Sequence, residues 1–315
     1  MDNVTHTLVG LMLSRAVFPR PVARAPLMMM ISANLPDIDV VSLFGGSLAY
    51  IQYHRGGTHA LAAAPFLALL PVLLVREKRA VAYVGSLAAV LSHLVLDWTN
   101  VYGIRLLLPF SSRWLHLDIT NVVDLWIAAI LLLSFFAPLI AGMVTSEIGG
   151  QRSSGVKRGW ALFALLALFS YEGARFVAHS RALALMSARL YNGAPPRIVA
   201  AVPSAANLLS WRGIVEAPGF VANMPVNLQS NFDPSQAHID YDATPDPAID
   251  AARHTRPFEI FGKFNQLPLW RVTPVSDGVR VELMDLRFGT PELPGFEAVA
   301  TIDSSGRVLR SRFGF

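Results

Sequence analysis

Residues Val122 to Val144 read VVDLWIAAILLLSFFAPLIAGMV, an apolar run whose one charged residue, Asp124, stands near its start. A helix needs ~20 such residues to cross the ~30 Å hydrocarbon core of a bilayer. Working outward, Val81 to Trp98 and Trp160 to Ala178 are of similar length and character, and Ala60 to Val75 is a little short but free of charge. Thr5 to Phe18 and Ala25 to Leu35 are shorter, so they span only if tilted or packed within a bundle, and are otherwise re-entrant. The whole composition agrees: of 315 residues 53% are hydrophobic and 15% charged, with a mean hydropathy of +0.44. The expected fold opens with an α-helical integral membrane bundle of four to six apolar helices.

The formal net charge of +4 does not point to nucleic acid, because the basic residues form no stripe. They sit in short loops: Arg15, Arg20 and Arg24, then Arg76, Lys78 and Arg79, then Arg152, Lys157 and Arg158. By the positive-inside rule these loops are cytoplasmic. With six crossings, the loops over residues 36–59 and 100–120 and both chain ends fall on the opposite face. The start, with Asp2, Asn3 and His6, lacks the order of a signal peptide and is read as mature protein. No cysteine is present, so a metal would be held by imidazole and carboxylate.

Beyond Ala178 the composition changes. Arg181 to Tyr191 continues as an amphipathic helix up to the break at Pro195-Pro196, and short alternating runs follow: Gly213 to Val221, Leu269 to Val275, Val279 to Leu283 and Ala298 to Ile302. Asp277-Gly278 is a hairpin signal, and residues 231–256 read as an irregular loop. The domains expected are 1–180, membrane-embedded and helical, and 181–315, a small β-rich soluble domain outside the cytoplasm.

Polar residues that an apolar bundle would otherwise avoid gather in five clusters. The first is Thr5-His6-Thr7 at a helix start. The second is Pro36-Asp37-Ile38-Asp39, where the proline ends a helix and an extended stretch would put both carboxylates on one face. The third is His54-Arg55-Gly56-Gly57-Thr58-His59, with two imidazoles and a guanidinium around two permissive glycines. In the fourth, His93, Asp97 and Asn100 fall on one helical face by their spacing of four and three. The fifth runs from Tyr102-Gly103-Ile104-Arg105 to His116, Asp118 and Asp124; Asp118 is read as a cap for the next helix, and Asp124 as a ligand or an acceptor behind one. Taken together, His6, Asp37, Asp39, His54, His59, His93 and Asp97 form a candidate ligand set at one depth. A cation resolves the cost of burying so many ionisable groups.

In this order His6-Thr7, Pro36-Asp37-Ile38-Asp39, His54 to His59, Ser92-His93 to Asp97, Tyr102-Gly103 and Pro109-Phe110-Ser111 resemble the YdjM family of inner-membrane metal-dependent hydrolases over the first ~125 residues. Asp285-Leu286-Arg287-Phe288 looks like the extension of its longer members. That family is distantly similar to zinc-dependent phospholipase C and the fungal single-strand nucleases. The resemblance implies that His6, Asp37 or Asp39, His54 or His59, and His93 with Asp97 fill the ligand roles of those enzymes, whose later histidine motifs have no clean counterpart here.

The expected function is a multi-pass inner-membrane hydrolase with one or two divalent ions, zinc first. Its substrate is a phosphoester or lipid-like ester reached from the membrane lipids at the outer face. Asp37 or Asp39, if not a ligand, would accept a proton, and Arg55 or Arg105 would stabilise developing negative charge. A metal or ion transporter using the same groups is the alternative, although the span centres are almost bare of charge apart from Glu172 and Arg175, spaced for a local ion pair. A non-enzymatic membrane scaffold is the third reading.

Overall fold

A computed structural model describes the chain except residues 19–23, 77, 148–153 and 244–245. Arg20 and Arg152 of the basic loops therefore lie outside the described residues. The helices in chain order are α1 Asn3–Val17, α2 Ala25–Asn34, α3 Ser47–Tyr53, α4 Ala64–Val72, α5 Arg79–Thr99, α6 Leu125–Glu147 and α7 Ser154–Ser187. Four strands follow, β1 Ile198–Pro203, β2 Ser210–Ala217, β3 Phe220–Asn227 and β4 His238–Tyr241, and then α8 Pro247–Arg253 and α9 Arg256–Phe264. The last four are β5 Pro268–Val275, β6 Gly278–Asp285, β7 Glu297–Ile302 and β8 Val308–Gly314. A helical bundle is thus followed by two four-stranded antiparallel sheets, ordered β1-β2-β3-β4 and β5-β6-β7-β8.

Among the described residues four stretches are long and apolar enough to cross a membrane: Ala25–Gly45, Arg79–Thr99, Leu125–Glu147 and Gly155–Ser187. The first corrects the sequence reading. Pro36 does not release an extended stretch, because Leu35–Gly45 continues as a 3-10 helix. A proline in the first turn of a helix lacks an N–H that has no intrahelical acceptor anyway, so it starts this segment without cost. The run from Ala60 is less regular than one helix: two 3-10 turns precede a nine-residue α4. Residues 231–256 also hold more structure than a loop, namely β4 and α8, whose N-cap Asp246 accepts from the Ala248 N–H with Pro247 at the first position.

The chain divides into two compact units. The first comprises Met1–Asp39, Arg55–Val177 and Pro203–Leu208. In lipid, helices associate through close packing and polar contacts, because the tails are as apolar as the side chains. Small residues accordingly line the seams: Ala33, Ala68, Ala82 and Ala89 are fully or almost fully buried between α2, α4 and α5. Ser86 of α5 donates to the Ala68 carbonyl (2.7 Å) and stands 2.8 Å from the Ser32 hydroxyl of α2. Between α1 and α2 a Cβ on Gly10 would stand 2.6 Å from the Met29 carbonyl oxygen, so only glycine permits this approach. A second seam joins Val9, Met12, Leu96, Ile127, Leu131 and Ala164.

The second unit comprises Val40–His54, Ala178–Val202 and Leu209–Phe315. Trp211, Val215, Ala222 and Met224 of the first sheet bury against Ala182 and Met186, the end of α7. Asp277-Gly278 turns β5 into β6 as the sequence predicted, and the run read from Gly213 to Val221 is a hairpin, turning at Gly219 (φ +85°). Asp285 and Arg287 form a fully buried pair, with 3.1 Å from Arg287 Nε to each carboxylate oxygen.

Candidate metal centre

Four helix termini deliver the polar clusters to one place within the first unit: the start of α1 with His6, the segment after α2 with Asp37 and Asp39, the 3-10 turn before α4 with His59, and the last turns of α5 with His93 and Asp97. The opposite ends of α1, α2, α4 and α5 carry Arg15, Arg24, Arg76 and Arg79.

His59 is the hub. Its Nε2 stands 3.1 Å from His93 Nε2, 3.4 Å from Asp37 Oδ1 and 3.3 Å from Asp97 Oδ2. His93 Nε2 is 3.6 Å from Asp37 Oδ1 and 3.4 Å from Asp97 Oδ2. These four residues can each direct one donor atom to a common point, and all are buried. Bonds of about 2.0–2.1 Å in a tetrahedral zinc-type site imply ligand-to-ligand edges of about 3.3–3.4 Å. The five edges above lie close to that value.

The far sides of the rings decide which atoms face inward. His93 Nδ1 donates to the Ala33 carbonyl at 2.7 Å, which leaves the lone pair of the neutral ring on Nε2. His59 Nδ1 lies 3.2 Å from Asp39 Oδ2, which also accepts from the Arg55 backbone N–H (2.9 Å) and the Thr58 hydroxyl (2.7 Å). Asp39 therefore stands behind His59 rather than beside Asp37. A carboxylate backing an imidazole in this way raises its basicity as a ligand and fixes its orientation.

Asp97 is divided between two roles. Its Oδ2 faces the two imidazoles, is buried and takes no hydrogen bond among the described residues. Its Oδ1 meets Arg55 Nη2 (3.2 Å), Asn100 Nδ2 (3.2 Å) and the α-amino group of Met1. His6 stacks on His93 with ring centroids 3.7 Å apart, its Nε2 is 3.4 Å from Asp97 Oδ1, and among the described residues neither of its buried ring nitrogens forms a hydrogen bond. Buried donor atoms without partners, converging beside lone-pair nitrogens, are what a cation would satisfy. The donor set fits a divalent metal.

The remaining predicted residues sit as follows. Arg55, in the left-handed region (φ +55°), also donates from Nη1 to Asn100 Oδ1 (3.0 Å), and its guanidinium lies over the Tyr102 ring. Arg105 donates its backbone N–H to the Arg55 carbonyl (3.1 Å) and places its guanidinium over Trp114. His54 belongs to the second unit, where its ring stacks on Tyr50 at 4.4 Å. Asp118 does not cap the next helix: it pairs with His116 at 2.7 Å, while Asp124 accepts from the Trp126 and Ile127 N–H groups and from the Tyr171 hydroxyl. Glu172 accepts from the Thr99 hydroxyl (3.2 Å) and Arg175 Nε donates to the Ile119 carbonyl (2.9 Å). Sequence reasoning missed Thr58, although its place beside His59 put a hydroxyl within reach of the same carboxylate.

Fold and site together define a multi-pass membrane protein with a buried His/Asp cluster able to hold a metal ion. Residues 1–182 match the family model described as YdjM inner membrane protein, and the chain belongs to that family. It is also 24% identical over 336 residues to the Uncharacterized protein YfhP of Bacillus subtilis (strain 168), an alignment covering 100% of this chain and 95% of the relative. No solved structure matches.

Proposed function

We propose that this protein is a metal-dependent hydrolase of the inner membrane that cleaves a phosphoester or lipid-like ester at the outer face. The observation that carries the reading is the set of donor atoms on Asp37, His59, His93 and Asp97, at near-tetrahedral spacing and with the tautomer of His93 set from behind by Ala33. When bound, a divalent ion such as zinc would supply a Lewis acid and lower the pKa of water toward ~7. The protein's own groups do the rest. Asp39 holds His59, and Arg55 with Asn100 holds Asp97, so that both ligands keep one orientation through the reaction. Asp37 offers its second oxygen to the proton released on attack. Arg105, whose backbone N–H is bonded to the Arg55 carbonyl, is the cation we assign to the negative charge that would develop on the ester oxygens. The outer face is favoured because the basic helix ends lie away from the cluster.

The test is purified protein loaded with zinc or manganese and screened against phosphodiesters, phospholipids and carboxylic esters, beside His93→Ala and Asp37→Ala. Hydrolysis of one class, reduced to background in both variants, is expected. Stoichiometric metal with no hydrolysis of any class removes the enzyme reading, and metal uptake into sealed vesicles would replace it with transport.

A further inference from the structure

The second sheet carries a concentration of arginine that the metal centre does not explain. Cross-strand register sets Arg280 of β6 opposite Thr301 of β7, and Thr301 opposite Arg310 of β8. The next row on the same face is Glu282, Val299 and Arg312. Residues directly paired across strands project to one face, and like charges gathered there are destabilising. Here two guanidiniums flank one threonine and a third stands one row away. They line a cavity of about 180 Å³ together with Val299, Thr301 and Ser311.

Two carboxylates answer part of this charge: Glu282 at 2.7 Å from Arg280 Nη2, and Glu297 at 3.5 Å from Arg312 Nη2. Arg310 forms no ion pair among the described residues, and its Nε donates to Thr301 Oγ1 at 3.1 Å. With its oxygen accepting that bond, the Thr301 hydroxyl keeps its own proton to donate. Arg280 Nε is buried and has no hydrogen-bond partner. The cavity is therefore rich in donors and short of acceptors. Its volume holds a small polar group and not an acyl chain.

We propose that this cavity is a phosphoryl-anion site, separate from the metal centre. Planar guanidinium groups match the oxygens of a phosphate better than any other side chain. Arg280, Arg310 and Arg312 approach from two strands that flank Thr301, so a tetrahedral oxyanion meets donors from several directions. The phosphate can belong to a lipid headgroup or to a free phosphoester; the site reads the group they share.

The experiment is calorimetric titration of the full-length protein in detergent with inorganic phosphate, in low salt and with chelator present so that no metal at the His/Asp cluster holds the anion. Saturable binding at about 1 mM or tighter is expected, weakened about tenfold by Arg310→Gln. Arg312→Gln, on the exposed edge strand, gives a second reading should Arg280→Gln fail to fold because Glu282 is left without its partner. Absence of saturable binding by the native chain, or native affinity in both Arg310→Gln and Arg312→Gln, overturns the site. A parallel titration with glycerol phosphate and dihexanoyl phosphatidic acid separates the sources. Arg310-dependent preference for the lipid assigns a headgroup, and equal affinity assigns a soluble phosphoester.

Discussion

Two aspartates two residues apart take opposite sides of one imidazole. Asp37 reaches toward His59 Nε2 and Asp39 toward Nδ1, because the 3-10 turn rotates successive side chains by about a third of a circle where a strand would have aligned alternate ones. Asp39→Asn keeps the shape and loses the charge behind the ring. It is expected to lower metal affinity about 10–100-fold, as loss of an outer partner commonly does, while Asp37→Asn lowers it further by removing a donor. Competition against a chromophoric chelator measures both, and an Asp39→Asn affinity equal to the native value would refute the backing role. At this scale the sequence left His54 and His59 undecided. Both flank the same pair of glycines, and spacing does not reveal the left-handed turn at Arg55 that lies between them.

At the scale of elements, the centre depends on how closely α1 lies on α2. Gly10 sets that distance, and His6 rides on the same helix one turn earlier. Gly10→Val is expected to cost about 1–3 kcal/mol through overpacking and to reduce metal binding by moving His6 off His93. Gly159→Ala is its control: nothing lies within 4 Å of the added carbon, so the exchange is expected to be neutral or stabilising by up to ~1 kcal/mol. Thermal unfolding in detergent with metal analysis distinguishes the two. The long helices were legible because ~20 apolar residues have few other uses. The segment after Pro36 was misread because proline punctuates and initiates helices with the same residue. α8 was overlooked although Asp246-Pro247 is a start signal, since the Asp, Pro and Ala around it resembled a loop.

For the molecule as a whole, two independent patterns point the same way. Basic residues collect at one set of helix ends and His/Asp residues at the other, which is why so much of the centre could be read before the fold was known. What could not be read was the arginine-lined cavity of the second unit, because strand register set by distant pairing brings Arg280, Thr301 and Arg310 side by side. The sidedness itself has a direct check. A reporter fused after Phe315 is expected to work only outside the cytoplasm; activity only inside would put the His/Asp cluster on the inner face. The depth of that cluster has one more consequence. His59, His93 and Asp97 are 0% exposed and Asp37 is 6% exposed. Neither a chelator nor a substrate meets the four ligands as they stand. Loading and removal of an ion are therefore expected to require local opening of the helix ends around the cluster, so that exchange is slow even where affinity is modest.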